Sequence, residues 1–235
     1  MDADQLNQEE WSRVIRTIET VVDYYDRVNN IVTFFRAEKW RRRAARFSGD
    51  DLDILEIGCG PGSFAKHLRG RSIVCVDPSE KLLAVAKSRL DGRTEFRKGE
   101  AERLPAEAES FDRTFCSFSL RDFKDKRQGL REMFRVLRSG GQSIILEIAK
   151  PEGKVRKALL GWHLKYDVPL IARFIVPSDI LNEGGHNVYR DLWDTYQKYE
   201  SAERYAGIMK GIGFKDVAWE ELTFGGAVIL KGAKP

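Results

Sequence analysis

Gly58, Gly60 and Gly62 alternate with other residues just after Glu56, and Asp77 follows Glu56 by twenty-one positions. A glycine lets the backbone come close to a ligand that a Cβ would hold off. A carboxylate about twenty residues beyond such a loop, at the end of the next strand, can accept both hydroxyls of a ribose. Together these features predict a ligand that carries adenosine. NAD and S-adenosylmethionine (SAM) both meet that description. The extra Gly62 and the acid at Glu56 favour SAM, and Ser63 stands where the dinucleotide fingerprint prefers Gly or Ala. On a purely structural reading, the glycines make a turn and Glu56 and Asp77 are solvated acids at strand ends.

Lys98-Gly99-Glu100-Ala101-Glu102 reads as a polar turn after a later strand. Glu100 could accept from the amine of an adenine, with Ala101 giving a backbone contact. A solvated turn is the alternative. His163 and His186 have no partner at metal-ligand spacing, so no metal is expected. Cys59, Cys75 and Cys116, expected in sheet elements, are sixteen and forty-one residues apart and match neither a zinc site nor a disulfide scaffold. A reducing cytoplasm is the simple reading.

The elements that carry these residues follow from pattern. Of 235 residues 42% are hydrophobic, and five Trp and thirteen Phe supply a core and exclude general disorder. No apolar run approaches the roughly 20 residues of a membrane span, and the acidic start Met1-Asp2-Ala3-Asp4 is unlike a signal peptide. Residues 1–48 read as helical. Strands are predicted over 53–57, 72–76, 94–97, 113–117 and 143–148, and helices over 63–68, 79–90 and 126–138. The last helix carries Leu130, Met133, Phe134 and Leu137 on one stripe and is stopped by Gly140-Gly141. Such alternation means βαβ units and a mostly parallel sheet. A helix over 203–210 and strands over 215–222 and 227–231, joined through Gly225-Gly226, predict an antiparallel C-terminal hairpin, which again favours SAM over NAD. The aromatic-rich stretch 151–200 is expected to be a helical cap over the strand ends where ligands bind. One α/β domain results: an N-terminal helical segment 1–48, a core 49–150, the cap 151–200, and a helix and hairpin 201–235 that complete the core.

A helix over 31–47 would gather Arg36, Lys39, Arg42, Arg43 and Arg46 into a sector of about 120°, beside an apolar sector of Ala37, Trp40, Ala44 and Phe47. Such a helix can lie on an anionic membrane surface. It can equally be a solvated basic face over a core-packed stripe, and the pattern alone favours the second. A net charge of +4 does not by itself argue for nucleic acid. There is no appended basic domain and no Asn/Asp-Pro-Pro-Tyr/Phe motif, so no nucleic-acid partner is expected.

Glu56-Ile57-Gly58-Cys59-Gly60-Pro61-Gly62 resembles the first motif of class I SAM-dependent methyltransferases. Ser117-Phe118-Ser119-Leu120-Arg121-Asp122, Arg135-Val136-Leu137-Arg138-Ser139-Gly140-Gly141 and Leu146-Glu147-Ile148-Ala149-Lys150-Pro151 are similar to stretches of a narrower group, the C-methyltransferases of ubiquinone and menaquinone biosynthesis. Tyr25-Asp26-Arg27-Val28-Asn29 matches that family's Tyr-Asp-x-x-Asn. Tyr189-Arg190-Asp191-Leu192 and Gly225-Gly226-Ala227-Val228 echo its C-terminal half. The likeness covers nearly the whole chain. Ser119 replaces the family Gly, Asp122 an Asn, Glu100 an Asn or Asp, and Pro61 a Thr common in the bacterial enzymes.

The resemblance implies a Rossmann-like class I methyltransferase fold and SAM as cofactor, with S-adenosylhomocysteine as product. It implies cofactor contacts at Glu56, Gly58, Cys59, Gly60, Gly62, Asp77, Pro78, Glu100, Ala101 and Ser117, and a small, lipophilic quinol acceptor. It points to Arg121 as the stabiliser of a phenolate, with Asp122 orienting it or acting as base, and to Tyr25 and Tyr189 as substrate contacts or lids. The corresponding bland readings are a surface ion pair for Arg121 with Asp122 or Asp125, a helix cap for Ser117, and aromatic packing for the tyrosines. A methyltransferase of another small molecule and a non-catalytic SAM-binding module remain open, as do monomer and homodimer. A cytoplasmic location, peripheral to the membrane if residues 31–47 touch it, completes the expectation.

Overall fold

The structure is a computed structural model. It describes residues 5–90, 92–148, 150–181 and 200–235, together with Tyr189, Trp193 and Tyr196. Among these, seven strands form one sheet: β1 (Asp53–Ile57), β2 (Ser72–Asp77), β3 (Thr94–Lys98), β4 (Phe111–Ser117), β5 (Leu137–Ile148), β6 (Lys215–Leu222) and β7 (Ala227–Ala233). Their order is β3-β2-β1-β4-β5-β7-β6. The first five strands pair in parallel, while β7 lies antiparallel between β5 and β6. This is the Rossmann-like sheet with an antiparallel C-terminal hairpin that the alternation of elements predicts. Ile54, Leu55 and Ile57 on β1 are buried on both of its faces, which is why that strand is continuously apolar.

Helices α1 (Gln8–Thr20), α2 (Val22–Val32) and α3 (Arg36–Ala44) precede the sheet, and α4 (Glu80–Arg89), α5 (Lys126–Val136) and α9 (Ala202–Ile212) cover it. Between β5 and α9 the described residues form α6 (Lys154–Trp162), a π turn (His163–Asp167), α7 (Val168–Ile175) and α8 (Ser178–Leu181). Leu130, Met133 and Met209 pack on one side of the sheet, and Ala44, Phe64 and Phe115 on the other. Val28 and Val32 of α2 join Leu164, Val168 and Ala172 in a separate cluster that fastens the π turn and α7 to the N-terminal helices. His186, Arg190, Asp191 and Leu192 lie outside the described residues.

The single helix expected over 31–47 is two helices. α2 ends at Val32, and Phe34 and Phe35 adopt left-handed backbone at φ 51° and 59°. The Thr33 hydroxyl donates to the Asn29 carbonyl at 2.6 Å and accepts from the Ala37 N–H at 3.1 Å, serving both helix ends. Trp40, Ala44 and Phe47 pack into the core beside Ile54 and Ile144, so the apolar sector faces inward and the basic residues face solvent. The helix expected over 63–68 is one 3₁₀ turn, Ala65–His67. Only nine residues separate Gly62 from β2, too few for a stable α-helix and two bends. α5 stops at Val136 because Leu137 is extended and pairs with Phe111, so Arg138 to Gly141 belong to β5 rather than to a helix end. Cys59 lies in the glycine loop rather than the sheet, while Cys75 and Cys116 are on β2 and β4. All three are buried and free.

Candidate active site

The strand order reverses between β1 and β4, where open α/β sheets leave a crevice at the strand C-terminal ends. The loop after β1 forms its floor. The N–H groups of Gly58 and Cys59 both donate to the Val76 carbonyl, at 2.8 and 3.1 Å. Gly58 and Gly60 have left-handed backbone at φ 67° and 54°. A Cβ on Gly58 would lie 2.4 Å from Ser119 Oγ, so the serine that replaces the family glycine is accommodated by the absent side chain opposite. A Cβ on Gly60 would meet nothing within 4 Å, because that glycine faces open space.

The open space is a cleft of about 800 Å³, continuous with solvent. Glu56, Gly58, Cys59, Gly60, Asp77, Pro78, Glu100, Ala101, Ser117, Asp122 and Tyr25 line it. Gly62 sits behind the loop, where its missing Cβ lets Ala86 and Leu90 approach. Trp11, Ile15 and Ile18 of α1 lie over the cleft. Glu56 and Asp77 are buried, not solvated strand-end acids. The Asp77 carboxylate accepts from Gly60 N–H at 2.8 Å and Ser79 N–H at 3.0 Å, which ties the loop to the end of β2. Burial pushes Asp77 up to about 6 against those two hydrogen bonds. Burial pushes Glu56 up to about 8, opposed by the Cys75 thiol and then by the charge of Arg41. Ser117 Oγ is buried with no hydrogen-bond partner and caps no helix. Glu100 is held by Lys124 at 2.5 Å, and Lys124 also sits over the Trp11 ring.

These features fit SAM. A buried carboxylate at the end of β2 suits a ribose, the open Gly60 suits close backbone approach, and the orphaned Ser117 hydroxyl lacks only a ligand. The short 3₁₀ turn after the loop does not offer the helix N-terminus that a pyrophosphate requires, and SAM carries no phosphate.

A second cavity of about 320 Å³ adjoins the cleft and shares Tyr25, Arg41 and Phe118 with it. Arg121, Asn29, Thr33, Ala37, Trp40 and Ile148 complete its walls. Arg121 is not in a surface pair. Its guanidinium lies 3.0 Å from Glu147 and 3.5 Å from Asp122, and all three side chains are largely buried. The backbone N–H of Arg121 also donates to Glu147 at 3.3 Å. Burial raises Glu147 and Asp122 above the usual carboxylate range, with Arg121 pulling both down. Tyr25 is raised by burial, opposed by Arg121 and Arg41. Tyr189 is raised by burial and then by neighbouring Tyr25. Asp26, between Tyr25 and Arg27, accepts from Ser63 at 2.5 Å and pairs with Arg89 at 3.0 Å, pinning α2 to the glycine loop. His163 contacts Asp167 and the Val32 carbonyl. Among the described residues no group of three or more His, Cys, Asp and Glu is placed to hold a metal.

Arg41 and Glu147 escaped the sequence reading. Arg41 is 3% exposed and its Nε has no hydrogen-bond partner. It was legible as the one arginine of the 36–46 run outside the basic sector, beside the apolar one. Glu147 was legible as a charge inside an apolar strand, which needs a partner.

A parallel sheet with this reversed hairpin and a cleft built for a methionine-linked adenosine define a SAM-dependent methyltransferase. The chain belongs to the ubiE/COQ5 methyltransferase family, whose model matches residues 5–234. It is 29% identical over 238 residues to the ubiquinone/menaquinone biosynthesis C-methyltransferase UbiE of Geobacter sulfurreducens, covering 96% of this chain and 90% of that one. It is 31% identical over 226 residues to the demethylmenaquinone methyltransferase of Thermotoga maritima, covering 93% and 94%. A solved SAM-dependent methyltransferase from Thermotoga maritima, described as a possible histamine N-methyltransferase, superposes with a TM-score of 0.68 at 22% identity over 94% of this chain and all of that one. That likeness is one of fold.

Proposed function

We propose that the enzyme transfers the methyl group of SAM to a ring carbon of a prenylated quinol, acting in the cytoplasm as a monomer or homodimer. The observation that carries this reading is the position of Arg121: clamped by Glu147 and Asp122, it walls a cavity that shares three residues with the cofactor cleft. The names of the relatives point to the same acceptor class.

SAM supplies a methyl group on a sulfonium, which a carbon nucleophile can take. A quinol ring carbon becomes nucleophilic when the neighbouring hydroxyl loses its proton, and once methylated it sheds its own hydrogen as a proton to restore the aromatic ring. Arg121, a permanent cation, stabilises the resulting oxyanion from the wall of the smaller cavity. Asp122 borders the larger cleft, and its raised pKa suits it to accept the phenolic proton. Tyr25 and Asn29, four residues apart on α2, face the same cavity and orient the ring. Tyr189 neighbours Tyr25 but lines neither cavity. From the walls of the cleft Glu56 would hold the α-ammonium of SAM, Arg41 its carboxylate, Asp77 the ribose, and Glu100 with Ala101 the adenine.

The acceptor test uses a prenylated naphthoquinol that lacks the ring methyl group. Methylation is expected with the acceptor held reduced and absent with the same acceptor oxidised, because only the quinol can yield a phenolate. Equal rates in both states, or none in either, would count against the reading. The Glu56 assignment predicts a pH dependence. An ammonium favours the ionised carboxylate, and a group raised to about 8 is mostly protonated at pH 6. SAM affinity is therefore expected to rise between pH 6 and 7.5, by at most about tenfold per unit, with proton release seen by calorimetry in two buffers. Glu56→Gln should bind more weakly and flatten the dependence. An unchanged slope would remove Glu56 from that role.

A further inference from the structure

Val155, Leu159, Trp162, Tyr166, Leu170 and Phe174 are all exposed, from 49% at Tyr166 to 82% at Phe174. They lie on one continuous helical run, α6, the π turn and α7, from Lys154 to Ile175. The last three intervals are all four residues, which would drift by about 120° round a regular α-helix. The π turn between His163 and Asp167 adds to the turn the residue that keeps the stripe in phase. The opposite face of the run, with Leu164, Val168 and Ala172, is packed on α2. The core therefore uses one apolar face and leaves the other to solvent, which a helix of a globular protein does not ordinarily do.

Phe34 and Phe35 extend the patch. They are 71% and 66% exposed, and Phe34 stacks on His163 with centroids 5.5 Å apart. Both hold left-handed backbone, which is costly for a bulky side chain, yet neither ring is buried. The residue before them, Thr33, lines the smaller cavity. The patch thus reaches the rim of the acceptor site.

Charge identifies what covers it. Lys154, Arg156, Lys157, Lys165 and Arg173 are exposed along the run, against Asp167 as its one acid. A second copy of the chain seated across a two-fold axis would set these cations against each other. An apolar stripe flanked by lysines and arginines matches the interface of an anionic bilayer. We infer that the α6–π–α7 stripe with Phe34 and Phe35 is a membrane-docking face that seats the enzyme on anionic lipid with the acceptor cavity opening toward it. The apolar sector of α3 is spent in the core, so this face, not residues 31–47, supplies the apolar contact. The docking itself rests on the stripe. Its use in loading an acceptor rests on the proposed function.

The test is flotation of the full chain with phosphatidylcholine vesicles, with and without phosphatidylglycerol, and with no quinol present. Wild type is expected to float with the anionic vesicles, much less with phosphatidylcholine alone, and to be released by high salt. Trp162→Glu/Phe174→Glu should lose at least about tenfold in partitioning while keeping SAM binding, and Trp219→Glu, an exposed Trp on β6, should not. Wild type remaining unbound, or the double variant floating equally, would overturn the inference. So would a wild-type dimer that the double variant converts to monomer without any lipid binding, which would make the stripe a self-interface. An enzyme that methylates quinol in detergent but ignores vesicles would sink this inference alone. One that floats but methylates only water-soluble acceptors would sink the acceptor reading alone.

Discussion

Arg121→Met is expected to lower kcat by roughly 10²–10³-fold, the loss typical of removing one stabiliser of a developing oxyanion, while SAM binding persists. Arg121 does not line the cofactor cleft; it walls the smaller cavity and is held by Glu147 and Asp122. The same change strips the counter-charge from two buried acids, which costs about 3–5 kcal/mol of stability. A dead protein would then prove nothing unless it is folded. Two companion variants resolve this. Arg121→Lys keeps the charge but not the planar fork that reaches both acids, and should fold yet remain strongly impaired. Arg121→Met/Glu147→Gln removes one acid's charge along with its partner, and should recover part of the melting temperature without recovering turnover. Near wild-type kcat in a folded Arg121→Met would remove Arg121 from the chemistry.

Asp77→Asn should weaken SAM binding by about a hundredfold or more. Each hydrogen bond to a carboxylate contributes about 1.5–3 kcal/mol, and a ribose offers two hydroxyls. Both carboxylate oxygens already accept backbone N–H groups, from Gly60 and Ser79. An amide at that position turns one acceptor into a donor facing a donor, so the glycine loop is disturbed as well. Calorimetry with SAM, and the thermal shift that SAM induces, measure the loss. Retained affinity would mean that the cofactor lies elsewhere.

The residues that were legible share one property: their roles follow from local spacing. The glycine loop, Asp77 at the end of β2, the buried stripe of α5 and the C-terminal hairpin each depend on a few neighbouring positions and on periodicities that the backbone imposes. What was missed depends on distant contacts. The break at Phe34-Phe35 shows no Gly or Pro, so 31–47 reads as one helix. The break follows from the need to turn α3 so that Trp40 and Ala44 reach the sheet. The clamp on Arg121 joins the 3₁₀ turn after β4 to the end of β5, twenty-six residues on. Arg41 reaches the cleft from α3; its angle sets it apart from the five solvated cations of the run, but which wall it reaches depends on how α3 packs. The stretch 151–200 reads as a cap from its aromatics and its lack of a place in the sheet; that α6 and α7 carry two apolar faces with only one of them packed depends on contacts with α2 that no local pattern shows.

The central claim is methyl transfer from SAM to a lipid-borne ring carbon. Its most direct test is transfer of label from methyl-labelled SAM in an extract of the source cells, with and without added enzyme, followed by partition between organic and aqueous phases. Enzyme-dependent label in the organic phase, lost with Arg121→Lys, is the predicted result. Label confined to the aqueous phase would contradict the lipophilic quinol acceptor, and no enzyme-dependent label in either phase would contradict the transfer itself.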